Sequence, residues 1–224
     1  MLVLVGGGEW QVDGRALDEQ LLEASGGREV AVLPTAAAFE DPARVGVRAT
    51  EHFAALDATV RVLPVLHRPE AEDPAIAGTV AAAKFVYLAD GSPLHLRSVL
   101  KGSALFDALV AAYRRGAVVA ASGAGATLLC DPMVDPRGGA YTVGLGLVQN
   151  LAVFPYHGTA ADHLRERSID LLPPGAVLAG IDEETALVLR DGTWTVAGAG
   201  EVTVYADGGS ARYRAGDAVS GLPV

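Results

Sequence analysis

Ser122 stands beside Gly123, Ala124 and Gly125 in the stretch VVAASGAGATLL, Val118 to Leu129. That pattern reads as a buried strand, a glycine turn and the start of a helix. The chemistry it suggests is acyl transfer from a nucleophilic serine. In a G-x-S-x-G elbow the serine occupies the apex between strand and helix, and small neighbours let the backbone turn sharply there. The apex hydroxyl then faces the substrate, and the next backbone N–H faces the developing oxyanion. Here the downstream glycine is Gly125, so the apex two positions before it is Gly123. Ser122 is one residue early, and since side chains alternate along a strand it is predicted to point away from where an apex hydroxyl would stand.

The other chemistry-bearing residues are weaker signals. His157 follows the apolar segment Leu147–Phe154 and precedes Gly158, which puts it at the carboxyl end of a strand. Asp182, Glu183 and Glu184 form an acidic run whose ordinary reading is a solvated turn. Cys130, the single cysteine, reads as a small core hydrophobe. Gly6–Gly8 read as a tight turn, because neither G-x-G-x-x-G spacing nor a Walker lysine accompanies them. His52, His67 and His163 have no partner identifiable from sequence. Tyr156 reads as a buried aromatic at a strand end.

These residues need a frame. The 224 residues suit one domain, 1–224, with a sizeable core; half are hydrophobic and a fifth charged, which excludes disorder. Leu2–Val5, Glu29–Leu33, Val60–Leu66, Phe85–Leu88 and Ala117–Ala121 are apolar runs of the kind buried parallel strands show. Helical spacing covers Ala43–Leu56 and Leu94–Arg115, with Ser103 capping an apolar stripe. Alternation of this kind predicts an α/β fold with a doubly wound, mostly parallel sheet, whose sites gather at strand carboxyl ends. After a helix predicted at Asp162–Leu172, the short strands Val177–Ile181, Thr185–Leu189, Thr193–Val196 and Val202–Tyr205 predict an antiparallel C-terminal meander at a sheet edge.

The net charge of −10 repels phosphate backbones and argues against a nucleic-acid partner. No apolar run reaches the roughly 18 residues of a membrane span. The single cysteine excludes an internal disulfide, and neither C-x-x-C nor H-E-x-x-H suggests a metal. The amino-terminal stretch lacks the basic start and long apolar core of a signal peptide, so a cytoplasmic location is expected.

Taken in order, several segments resemble the dipeptidase E and cyanophycinase family of serine peptidases, whose fold is flavodoxin-like and glutamine amidotransferase-like. GAVVAASGAGATLLC resembles the family's elbow, and aligned without a gap its serine falls on Gly123. LVGGGEW, VAVLPTAAAFED and LHRPEAEDP resemble the first strand with its glycine loop, the second strand, and the segment before the third helix. VYLADGSPLHLRSVLKGSALFDAL resembles the strand, turn and helix around a Gly-Gly-Asp-Gln-like turn, of which Asp90-Gly91-Ser92-Pro93 keeps only the second glycine. GLGLVQNLAVFPYHG maps the family's catalytic histidine onto His157. GIDEETALVL maps its acid onto Glu183, with Asp182 the second choice.

The resemblance further implies that the N–H groups of Gly91 and Ala124 correspond to the oxyanion hole, and it sets His95 near the Gly91 turn. Two functional readings follow. In one, hydrolysis is lost or weak, and a pocket for a small amino-acid-like or Asp-containing peptide ligand persists. In the other, Ser122 or a water activated by His157 hydrolyses Asp-containing dipeptides or an Asp–Arg polymer. A nucleotide-binding module has only the sheet architecture in its favour. Neither cofactor nor metal is expected, and a homodimer is compatible with the sheet edge and the family analogy.

Overall fold

The computed structural model describes residues 1–11 and 14–224. Its centre is an eight-stranded sheet in the order β16 (Ala218–Val219), β13 (Thr193–Gly198), β12 (Thr185–Arg190), β1 (Leu2–Val5), β5 (Val118–Ser122), β4 (Phe85–Leu88), β2 (Glu29–Leu33), β3 (Thr59–Val62). From β1 to β3 every pairing is parallel, whereas β12 joins β1 antiparallel and continues into β13 and β16. Parallel strands need covered faces, and the alternation along β1 provides for both. Leu2 and Leu4 enter one hydrophobic cluster, Val3 and Val5 the other.

On the Val3 and Val5 face lie α1 (Arg15–Ser25) and α2 (Pro42–Ala54), through Leu21, Leu22, Ala49 and Phe53. The opposite face takes α4 (Pro74–Ala82), α5 (Pro93–Leu100), α6 (Ala104–Arg114) and α7 (Ala124–Leu129). A single turn, α3 (Arg68–Ala71), precedes α4.

Two sequence expectations are sharpened. The helical stretch 94–115 is two helices, because Gly102 takes φ +64° and Ser103 restarts the chain by accepting the Phe106 N–H at 3.1 Å. Strand β3 stops at Val62, short of the predicted Leu66, since Pro64 has no N–H to offer a ladder.

The antiparallel C-terminal edge is present in β12, β13 and β16. The neighbouring strands build a second sheet, β10 (Leu151–Phe154), β11 (Val177–Ile181), β14 (Glu201–Ala206) and β15 (Gly209–Arg214), in which β10 and β11 run parallel. Helix α8 (Asp162–Asp170) connects β10 to β11. Short ladders β6 (Cys130–Asp131) with β9 (Val148–Gln149), and β7 (Met133–Val134) with β8 (Tyr141–Thr142), bridge α7 to this sheet. Cys130 is fully buried, as a core residue would be, and burial raises its thiol pKa. Among the described residues no helix is long and apolar enough to cross a membrane.

Candidate active site

Three adjacent parallel strands end level. Val5 pairs with Ser122, and Leu88 and Leu4 both pair with Ala121, so the segments leaving β1, β4 and β5 emerge side by side at the sheet's carboxyl edge. They carry Glu9, Asp90 and Gly123.

Gly123 links β5 to α7 at φ +44°, ψ −99°, a conformation glycine adopts without Cβ strain. The space in front of its Cα is taken by a carboxyl group: a Cβ built there would lie 2.2 Å from Asp90 Cγ. Asp90 Oδ1 accepts the N–H of Gly91 at 2.7 Å and of Ala124 at 2.6 Å. Its Oδ2 accepts the Tyr156 hydroxyl.

Gly91 survives in the turn for a steric reason. At φ +146° its missing Cβ would stand 2.4 Å from the Ala36 carbonyl oxygen. Gly7 similarly leaves room for the Tyr156 ring, which a Cβ would meet at 2.3 Å. The glycines after β1 thus form the turn over which Tyr156 lies.

Ser122 faces elsewhere. Fully buried, its hydroxyl donates to Glu9 Oε2 at 2.8 Å. The Gly123 N–H, which a serine in that register would need for an oxyanion, is spent on Val5 O at 3.0 Å. Glu9 Oε1 accepts the Asp90 N–H at 3.3 Å, and Arg48 donates to the Glu9 backbone oxygen, not to its carboxylate. Desolvation first, and then the Asp90 charge, push the Glu9 pKa up.

That shift predicts a pH dependence. A carboxyl held above its ordinary 4.5 keeps a proton longer folded than unfolded, so its stabilising share is full at low pH and is lost as pH rises from 4.5 through the folded value. Glu9→Gln cannot ionise. It is expected to equal or exceed the parent in stability at pH 7 and to fall below it near pH 4, read as the urea midpoint across that range.

His157 sits apart from this network. Its Nδ1 is 3.6 Å from Asp182 Oδ1, and its Nε2 is 2.9 Å from the Tyr205 hydroxyl. The ring thus faces a carboxylate on its Nδ1 side and a phenol hydroxyl on its Nε2 side. Desolvation lowers the His157 pKa against the raising effect of Asp182. Glu183 is exposed, so Asp182, the second choice from sequence, is the acid beside this ring. His95 donates to or accepts from none of these groups; its Nε2 pairs with Leu66 O at 2.8 Å.

A cavity of about 250 Å³ opens beside Asp90, Gly91, Ala124 and Tyr156, with Pro93, Val134, Phe154 and Leu164 supplying apolar wall. His157 and Ser122 are not among its lining residues. Among the described residues no three His, Cys, Asp or Glu side chains converge as a metal site.

Sequence reasoning assigned no role to Glu9 or Asp90. A signal was present: an acid follows the first glycine loop directly, and an acid replaces the first glycine of the second turn.

Residues 2–197 match the model of peptidase family S51. The chain belongs to peptidase family S51. Among solved structures it is similar to a peptidase from an acI-B1 Actinobacterium, with TM-score 0.88 and 28% identity over 98% of this chain and 96% of that one. It also shares its fold with a putative peptidase E protein from Listeria monocytogenes EGD-e, with TM-score 0.70 and 15% identity over 89% of this chain and 98% of that one. S51 membership agrees with the resemblance to dipeptidase E read in the sequence, and the doubly wound sheet is the frame those relatives share.

Proposed function

We propose that this S51 protein has lost covalent serine hydrolysis and keeps its cavity for a small amino-acid-like or peptide ligand. The observation that carries this reading is the apex itself: Gly123 offers hydrogen where a nucleophile would stand, and a neighbouring carboxylate fills the space. Ser122 supports it from the other side, since its hydroxyl is committed to Glu9 and the N–H its register would need is committed to Val5. Without an apex hydroxyl no acyl-enzyme forms.

The cavity wall suits an apolar side chain, and its floor carries Asp90. Three donors reach that carboxylate, which leaves about one acceptor position of roughly four. An ammonium end, rather than a carboxylate end, is the complementary group to bring there.

The purified chain, incubated with Asp-containing dipeptides, is expected to show turnover at buffer background and no labelling by a fluorophosphonate. Ser122→Ala is expected to leave that background unchanged. Turnover abolished by Ser122→Ala would overturn the reading in favour of a re-registered serine hydrolase. Turnover abolished by His157→Ala alone would favour an activated water.

A further inference from the structure

Two backbone N–H groups on separate segments, Gly91 ahead of α5 and Ala124 at the start of α7, converge on one point. Such a pair stabilises an oxyanion because its dipoles are fixed before the charge arrives. Here the charge is already present and covalently attached. Asp90 Oδ1 lies 2.7 and 2.6 Å from the two nitrogens, the range of charge-assisted bonds, and Tyr156 secures Oδ2. A neutral substrate carbonyl would have to displace an anion that is part of the same chain.

We propose that Asp90 is an internal ligand of a carboxylate-binding site built from the Gly91 N–H, the Ala124 N–H and the Tyr156 hydroxyl, and that deleting its side chain opens this site to a free carboxylate.

Three observations carry the assignment. The turn does not depend on the Asp90 side chain for its shape, because Gly91 is set by its contact with Ala36 and by the bond from Ser92 N–H to Ala36 O at 2.8 Å. The donors are therefore expected to stay in place when the carboxylate is gone. Second, Glu9 is a like-charged neighbour, and among the described residues neither carboxylate has a salt bridge to Lys, Arg or His. Asp90 is held against that repulsion by its three donors. Third, the cavity reaches Asp90, Gly91, Ala124 and Tyr156 from solvent, so a small anion has a way in.

The inference deepens the reading of a non-hydrolytic pocket and rests on it, but its test reads binding and not turnover. The melting temperatures of the full chain, Asp90→Gly and Asp90→Asn are compared in sodium formate and in sodium chloride at equal ionic strength. Formate is expected to raise Asp90→Gly saturably, by about 2–4 °C, and to leave the parent and the isosteric Asp90→Asn unmoved. No formate-specific rise in Asp90→Gly, or an equal rise in all three, would overturn the assignment.

Should Asp90→Gly fail to fold, hydrogen exchange on the parent decides. The Gly91 and Ala124 amides, which have no carbonyl partner, are expected to exchange at least about tenfold slower than open amides. Exchange at open rates would refute internal ligation. Dipeptide turnover by the parent would sink the functional reading and leave these results standing.

Discussion

Gly123→Ser alone is expected to cost about 3 kcal/mol of stability and to yield no turnover, and Asp90→Gly in the same chain is expected to recover most of that loss. The new Cβ would enter at 2.2 Å from the Asp90 carboxyl, far inside contact distance. The obstacle is the end of a side chain, so it can rotate aside, but only by giving up its bonds to Gly91, Ala124 and Tyr156. Bonds to a charged group are worth about 1.5–3 kcal/mol each, and water entering the cavity returns part of that. A non-glycine residue at φ +44° adds roughly 1–3 kcal/mol. Asp90→Gly removes the clash and restores the small residue that the family's turn carries. Urea unfolding of the parent, the two single variants and the double variant measures the coupling, which is the recovered loss plus the cost of Asp90→Gly alone and is expected to exceed about 2 kcal/mol in favour of the pair. Strict additivity would mean that the carboxylate and the apex do not share one space.

Asp90 and Gly123 thus share one space, since a Cβ on Gly123 would meet the Asp90 carboxyl. The resemblance read in the sequence implies a small residue in the turn and a hydroxyl at the apex. This chain puts a carboxylate in the turn and hydrogen at the apex, so the volume in front of β5 stays filled. A cavity at the apex would leave two N–H groups without a partner, and buried donors left unpaired cost about 1–3 kcal/mol each.

Much of the frame was legible because it depends on local rules. The runs at Leu2–Val5, Glu29–Leu33 and Phe85–Leu88 match strands β1, β2 and β4, since a strand buried on both faces has to be apolar throughout. The offset of Ser122 was readable from strand alternation, and its hydroxyl does turn to the Glu9 side. Partition of the last strands between two sheets was not readable. Val177–Ile181 and Thr185–Arg190 are consecutive and similar in composition, yet the first pairs with β10 and β14 and the second with β1. That choice is made by tertiary packing.

The site was half legible. Glycine spacing put Gly123 at the apex of a turn and the family resemblance pointed to Gly91 and Ala124; the structure brings all three around the Asp90 carboxyl. Sequence could not place Asp90 or Glu9, because nothing in a local window tells that residues 81 positions apart share a hydrogen bond. The choice between Asp182 and Glu183 likewise turned on which way a strand end faces.

The largest stability effect is expected away from the apex, at Asp18 and His52. His52 Nε2 lies 2.7 Å from Asp18 Oδ2, with side chains only 3% and 7% exposed, and the contact ties α2 to α1 across the Val3 and Val5 face. Desolvation pushes the Asp18 pKa above 3.8, and the bond to His52 pulls it back. Because the folded carboxyl binds its proton more tightly than the unfolded one, the stability Asp18 contributes declines as pH rises from 3.8 through its folded value. Removing one partner strands the other without water or counter-charge, which costs about 3–5 kcal/mol. Asp18→Ala and His52→Ala are each expected to lose that much in urea unfolding, and the double variant to lose about 2 kcal/mol less than their sum. Arg48, on α2 with His52, connects this clamp to the site by donating to the Glu9 backbone oxygen at 3.0 Å. A loosened α1 and α2 would therefore admit water beside Glu9, so Asp18→Ala is expected to flatten the acid-side pH dependence assigned to Glu9. If that dependence is unchanged in Asp18→Ala, the two buried carboxylates titrate independently and the α1–α2 clamp has no bearing on the site.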